Sequence, residues 1–202
     1  MEDAHNITTS QKLTTYRLDP RPSRFTIRVT AGGLLSAFGH NPMIGIRDFS
    51  GEVRFDPDSP PSASLRMRVP SRSLEVAGDV NEKDRREIER IMHEQVLESD
   101  TYSTIEFQSF EVKVTPSGPG QFRAEISGEL SLHGATGRQT IMARVTASGG
   151  RLRASGEFSL YQTEYGIQLV TVAGGALKVR DELKASFEIL ASAVKAQDTA
   201  AA

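Results

Sequence analysis

The sequence predicts an all-β chain, a barrel or a sandwich, with a single helix added. Three observations carry that prediction. Apolar and polar residues alternate with a period of two through much of the chain, stretches rich in Gly and Pro separate the runs, and no helices alternate with the strands.

The runs follow in order. Phe25-Thr26-Ile27-Arg28-Val29 and Val53-Arg54-Phe55 come first, then Ser64-Leu65-Arg66-Met67-Arg68-Val69. In the last, odd positions are apolar and even positions polar, so one face is buried and the other wet. Ile105-Glu106-Phe107 and Val112-Lys113-Val114 repeat the pattern. Ile126 to Leu132 keeps its apolar residues at even positions, and Leu152 to Leu160 does the same around a central Gly156. Val179 to Leu190 closes the series with Leu183, Ala185, Phe187 and Ile189 on one side. Connections are expected at 56–61, at Thr115-Pro116-Ser117-Gly118-Pro119-Gly120, at Ser148-Gly149-Gly150 and at Ala173-Gly174-Gly175, where Gly supplies positive φ and Pro a fixed φ. One segment differs. Ile88, Ile91, Met92 and Val96 fall at helical spacing, and Asn81 precedes Glu82 and Asp84, which suit an N-cap and a positively polarised first turn. The spacing predicts one amphipathic helix over about 81–97.

Composition narrows the function. The 202 residues suit one barrel or sandwich domain over 15–193, with tails at 1–14 and 194–202 expected to be disordered or frayed. There is no Cys, which excludes disulfides, thiolate metal sites and cysteine nucleophiles. A net charge of −2 gives no footprint for nucleic acid. No apolar run approaches the ~20 residues of a membrane-spanning helix. Met1 to Thr15 is polar and lacks the apolar core of a secretory signal, so the chain as written is expected in the cytoplasm, with the periplasm as the alternative. Neither a nucleophile elbow, a P-loop, a dinucleotide-binding glycine fingerprint nor a His-Glu-x-x-His motif occurs. The expectation is therefore a non-enzyme with no catalytic residues, no metal and no cofactor.

Period-two alternation does not separate barrel from sandwich. Two features lean toward the barrel: the inward set mixes large Phe and Met with small Ala124, Ala154 and Ala185, and the chain has no Trp.

The order of several short motifs is informative. Tyr16-Arg17-Leu18-Asp19-Pro20 precedes Ser23 and the strand from Phe25; Phe49-Ser50-Gly51-Glu52-Val53-Arg54-Phe55-Asp56 follows. Later come Tyr102 to Ser109, Gly128-Glu129-Leu130-Ser131-Leu132-His133-Gly134-Ala135-Thr136, Glu164-Tyr165-Gly166-Ile167 and Val179-Arg180-Asp181-Glu182-Leu183. Across 16–192 this succession resembles the YceI-like family of polyisoprenoid-binding proteins. The resemblance implies a closed antiparallel lipocalin-like β-barrel of about eight strands, with an elongated apolar lumen and the helix on its side or mouth. It departs from the family at Pro22 and Ala31, near places that often carry His, and at Tyr161-Gln162, where a basic residue is common.

On this reading the chain binds, transports or stores an apolar small molecule: a polyisoprenoid, an isoprenoid quinone or a fatty-acid-like lipid. Candidate wall residues are Phe25, Ile27, Phe38, Met43, Phe55, Met67, Phe107, Leu130, Phe158, Ile167 and Phe187, each of which also suits ordinary core. His40-Asn41, between Gly39 and Pro42, is the candidate for contact with a polar head, against a plain turn. Tyr165 is placed either at the cavity rim or beside a bulge at Gly166. Glu89 and His93 have i, i+4 spacing, which makes half a metal site or, more simply, a solvated helix face. His133 falls at a hairpin tip. Two rivals remain: an enzyme or haem binder using His40 and His133, and a filled barrel serving as an interaction module. A homodimer through strand edges or the helix fits the pattern, and no residue specifies it.

Overall fold

The computed structural model describes residues 13–33, 42–57, 63–172 and 177–194. Eleven strands and one α-helix are defined among them. In order they are β1 (Thr14–Gly33), β2 (Met43–Ile46), β3 (Ser50–Phe55), β4 (Ser64–Pro70), β5 (Leu74–Ala77), α1 (Glu82–Ile91), β6 (Thr104–Gly118), β7 (Gln121–Leu132), β8 (Ala135–Ser148), β9 (Arg151–Tyr161), β10 (Thr171–Val172) and β11 (Leu177–Ala193).

Eight strands close a barrel. Neighbours run β11-β9-β8-β7-β6-β4-β3-β1, and β1 pairs antiparallel with β11 from Tyr16↔Ala193 to Gly33↔Leu177, which removes both edges. The predicted barrel is therefore the architecture, and the sandwich is not. Membership of the eight differs from the sequence pattern in two places. The runs at 105–107 and 112–114 belong to one strand, β6, whose bulge between Ser109 and Glu111 shifts the register. β8 has no counterpart among the predicted runs, because its inward positions read Ala, Gly, Gln, Ile, Ala, Val, Ala, with Met142 on the opposite face. The expected turn at 115–120 is also shorter. β6 continues through Pro116, opposite Phe122, and accommodates this proline at a register shift before Gly118. His133 and Gly134 form the expected two-residue hairpin tip, with φ of 52° and 76°.

β1 is one continuous strand with a bend. Ser23 Oγ donates to the Asp19 carbonyl and accepts from the Leu190 amide, which fills the hydrogen-bonding gap at the bulge between Asp19 and Arg24. The bend lets the same edge of β1 serve β3 through Thr14–Arg17 and β2 through Thr26–Arg28. β2 pairs in turn with β5, and this two-strand flap ends the sheet. Of the expected tails, residues 1–12 and 195–202 lie outside the described residues. Thr14 already pairs with Phe55, and the Val194 amide donates to Thr15 O.

α1 begins where the sequence predicts. Asn81 Oδ1 accepts from the Asp84 amide at 3.0 Å, with Glu82 and Asp84 in the first turn. The last part of the predicted helix, Met92–Val96, widens into a π turn, with the Leu97 amide donating to Met92 O. The helix lies along β5, whose outer edge has no strand neighbour among the described residues. Side chains take the place of that strand. Glu89 Oε1 accepts from the Val76 amide at 2.9 Å, Arg85 donates to the carbonyls of Val76 and Gly78, and His93 Nε2 meets Leu74 O at 3.0 Å. The backbone groups of a buried edge must be satisfied somehow, and here one helix face does it. Glu89 and His93 are thus neither half a metal site nor a solvated face. Their i, i+4 spacing matches the alternate N–H and C=O groups of β5. Because a carbonyl only accepts, Nε2 carries the proton and Nδ1 faces Ser99 Oγ at 2.9 Å.

Candidate ligand-binding site

Inward residues along β11 run from Val179 through Leu183, Ala185, Phe187 and Ile189 to Ala191, and all line one continuous cavity of about 1010 Å³. The twelve residue-to-residue steps from Val179 to Ala191 cover about 40 Å, or roughly 30 Å along the axis of a barrel with ordinary tilt. The cavity therefore runs lengthwise through the barrel. An eight-stranded barrel has room either to fill itself with side chains or to hold one small guest, and this one is hollow.

The hollow has a cause in the sequence. Across one belt the partners read Ala124↔Ala143↔Gly156↔Phe187↔Phe25. Small residues occupy one side and phenylalanines the other. The Phe187 ring packs directly against Gly156: a Cβ there would stand 2.8 Å from a ring carbon and collide with the Met142 carbonyl. Phe107 covers Gly128 in the same way, 2.5 Å from where a Cβ would be. Inward glycines let large rings lie against the wall instead of across the lumen. Phe25, Phe158 and Phe187 then contact one another, with centroids 6.0 to 6.5 Å apart. At the end near Phe55, Phe122 packs edge to face on it at 5.2 Å, beside the buried Tyr16.

The helix is the other part of the wall. Ile88, Ile91, Met92 and Val96, the stripe visible in the sequence, all face the cavity. None of the α1 residues is fully buried, and the first buried residue beyond it is Met92. The apolar stripe is covered only in part by protein. Exposed lining residues gather at this end: Met43, Gly78, Asp79, Asn81 and Glu87, against Ser64 alone at the other. The mouth is thus beside the β2–β5 flap and the start of α1.

Of the sequence candidates, Phe25, Ile27, Met43, Phe55, Met67, Phe107, Leu130, Phe158, Ile167 and Phe187 line the cavity. Phe38, His40 and Asn41 lie outside the described residues. Tyr165 is a correction: it is 1% exposed, does not line the cavity, and packs against the inward side of Gly137, whose missing Cβ makes room for the ring. Burial pushes its phenol pKa up, with Glu164 adding to the rise. Tyr165 ends a short 3-10 turn, Gln162–Tyr165, which Gly166 caps in the left-handed conformation at φ 72°. His133 does not line the cavity either. Its ring packs at a tilt against Tyr102, with centroids 4.4 Å apart, and its nitrogens meet Tyr165 O and Glu98 Oε1.

Five polar side chains of the site, Gln139, Gln162, Asp79, Asp84 and Glu87, were not among the sequence candidates for it. Gln139 and Gln162 line the lumen, Gln162 at 4% exposure. Gln162 Nε2 donates to the carbonyls of Arg180 and Asp181, and Gln139 Nε2 to those of Thr140 and Ser159. Carbonyl partners fix the amide orientation, since they cannot donate. At the mouth stand Asp79, Asp84 and Glu87. Asp84 accepts from Asn81 Nδ2 at 2.6 Å, and the Arg90 guanidinium beside Glu87 holds that carboxyl below its ordinary range. The available signal was parity: Gln139 is a polar residue at an inward position of β8. Beside β8's weak alternation that signal had no strand to belong to.

A closed barrel around an elongated apolar cavity, with one mouth walled by an amphipathic helix, defines the class of barrels that enclose small apolar molecules. Comparison with known proteins gives the family. The YceI-like domain matches residues 16–191, and the chain belongs to the YceI-like family. A UPF0312 protein of Vibrio cholerae serotype O1 (strain ATCC 39541 / Classical Ogawa 395 / O395) is 33% identical over 128 residues, 60% of this chain. That match spans 62% of the relative's length. Among solved structures, Burkholderia cenocepacia BcnA aligns with TM-score 0.65 and 17% identity, covering 87% of this chain and 99% of that one. A polyisoprenoid-binding domain from Saccharophagus degradans, implicated in plant cell wall breakdown, aligns at 0.64 with 16% identity, covering 91% and 100%. At these identities the two structures establish the shared fold. No helix among the described residues is long and apolar enough to cross a membrane.

Proposed function

We propose that this chain carries or stores one polyisoprenoid lipid, isoprenoid quinones included, inside the barrel and performs no chemistry on it. The observation that carries the reading is the lengthwise apolar cavity of about 1010 Å³. At the ~30 Å³ that a water-sized unit occupies, it takes roughly 30 heavy atoms, or about six isoprene units. Each CH₂ moved from water contributes up to ~0.8 kcal/mol, so a few units outweigh the cost of ordering the chain. The polyisoprenoid-binding domain of Saccharophagus degradans, with the same fold, supports the choice of lipid. The haem or enzyme alternative loses one of its two histidines, since His133 stands outside the lumen with both ring nitrogens engaged.

The test is organic extraction of protein purified from a bacterial host, followed by mass spectrometry. A prenyl lipid recovered at near-unit stoichiometry supports the carrier. A clean extract, together with failure to bind added polyprenols, rejects it. A Soret band in the purified protein would instead favour the haem reading.

A further inference from the structure

The cavity wall is fastened in two ways. Each strand in it is tied to a neighbour by a backbone ladder, β2 and β5 of the flap included. α1 has no such tie: among the described residues, no backbone hydrogen bond joins it to a strand. Side chains hold it, Arg85 on the carbonyls of Val76 and Gly78 and Glu89 on the Val76 amide. That hold is uneven along the helix. No residue of Glu82–Ile91 is fully buried, whereas Met92, Leu97 and Ser99 beyond it are. There the π turn is pinned: His93 Nε2 donates to Leu74 O, its Nδ1 meets Ser99 Oγ, and the Ser99 amide donates to His93 O. At the other end the chain enters through Gly78, exposed, at φ 91°, with no atom within 4 Å of where a Cβ would stand. A glycine in open space changes its dihedrals at little cost. The exposed lining residues Asp79, Asn81 and Glu87 lie at this loosely held end.

Resting on the lipid-carrier reading, we propose that residues 78–91 are the lid through which the guest enters and leaves. Arg85 and Glu89 release the β5 edge, and the helix swings outward from its Gly78 end about the π turn at Met92–Val96. Parting the barrel strands would break whole ladders, whereas this motion breaks three side-chain hydrogen bonds. Local openings draw on the elements with the fewest buried contacts, and α1 is such an element. Neither Arg85 nor Glu89 lines the cavity, so the latch does not touch the guest. Loosening it therefore speeds entry and exit together and leaves their ratio, the Kd, nearly unchanged.

The test is stopped-flow binding and release of a C15 prenyl alcohol carrying an anthraniloyl fluorophore, on the full chain. Arg85→Met and Glu89→Ala should each raise both rates about fivefold or more, with the Kd held within about threefold. Glu89→Gln keeps an acceptor for the Val76 amide and should stay near the unaltered rates. A lock gives the converse. The chain has no Cys, so Glu75→Cys with Arg86→Cys places the only two thiols on exposed residues that do not line the cavity. Joined by a bis-maleimide with a reducible spacer, they should slow both rates about tenfold or more, and reduction should restore them, which also shows an intact fold. Unaltered rates in the joined protein overturn the lid and leave the carrier standing. So do latch variants that lose affinity with association unchanged, since α1 is then ordinary wall. No binding by the unaltered protein overturns the carrier reading and the lid with it.

Discussion

Ala143→Leu separates a hollow barrel from a filled one. Ala143 is 5% exposed, points inward from β8, and sits between Ala124 and Gly156 in the belt of small residues. Leucine adds three carbons. In a packed core such an insertion costs about 1–3 kcal/mol through forced rotamers and backbone shifts. In a hollow lumen the added carbons leave water at up to ~0.8 kcal/mol each, less about 0.5–1 kcal/mol of rotamer entropy. Stability should then hold or rise by about 1 kcal/mol. Binding should change in the opposite direction. A guest that fills the lumen must give up about three carbons of burial, roughly 2.4 kcal/mol, which weakens Kd about 50-fold. A C15 prenyl alcohol takes about half the room and should keep its affinity. Equilibrium urea unfolding measures the first effect, and probe displacement with C15 and C30 prenyl alcohols the second. A loss of 1–3 kcal/mol with unchanged affinity for both alcohols would show that the belt is ordinary packed core.

Other consequences are checkable separately. Gly156→Ala puts a Cβ against the Met142 carbonyl and the Phe187 ring, and should destabilise by about 2–3 kcal/mol in urea unfolding. Glu89→Ala leaves the Val76 amide at the β5 edge without its acceptor; the expected loss is about 1–3 kcal/mol, with faster hydrogen exchange at Val76 before the barrel strands respond. Asp181 holds the turn at Thr163 through Oδ1 and Oδ2, and those hydrogen bonds, the Thr163 hydroxyl first, lower its pKa from 3.8. A lowered folded value means that its contribution is complete above pH 3.8 and is lost as pH falls through the folded pKa. NMR of the Thr163 amide should register the loss in that acid window, and Asp181→Asn should abolish the pH dependence.

The fold was legible where burial is one-sided. β4, β7, β9 and β11 alternate cleanly because one face meets the lumen and the other water, and Asn81 announced the helix start through its capping chemistry. β8 was hidden by its small inward residues, the same residues that keep the cavity open. β2 and β5, four residues each, are too short for a period to register. The wall aromatics could be chosen by parity alone. Their close seating against the wall could not, since it depends on Gly128 and Gly156 in neighbouring strands. Tyr165 misled because a tyrosine before glycine suits both a rim and a buried plug, and only Gly137, distant in sequence, decides between them. The Glu89 and His93 pair misled for a related reason: helical spacing says which groups share a face, and the β5 edge opposite says what that face is for.

The central claim is that a guest occupies the inside of the barrel, and intermolecular NOEs from a bound prenyl alcohol to the protein's methyl groups measure that occupancy directly. The account predicts NOEs to Ala143, Ala185 and Ile141, which line the lumen, and none to Met142, which is 55% exposed on the outer face of the same strand. NOEs to Met142 with silence at Ala143 and Ala185 would place the lipid on the outside of the barrel and contradict it.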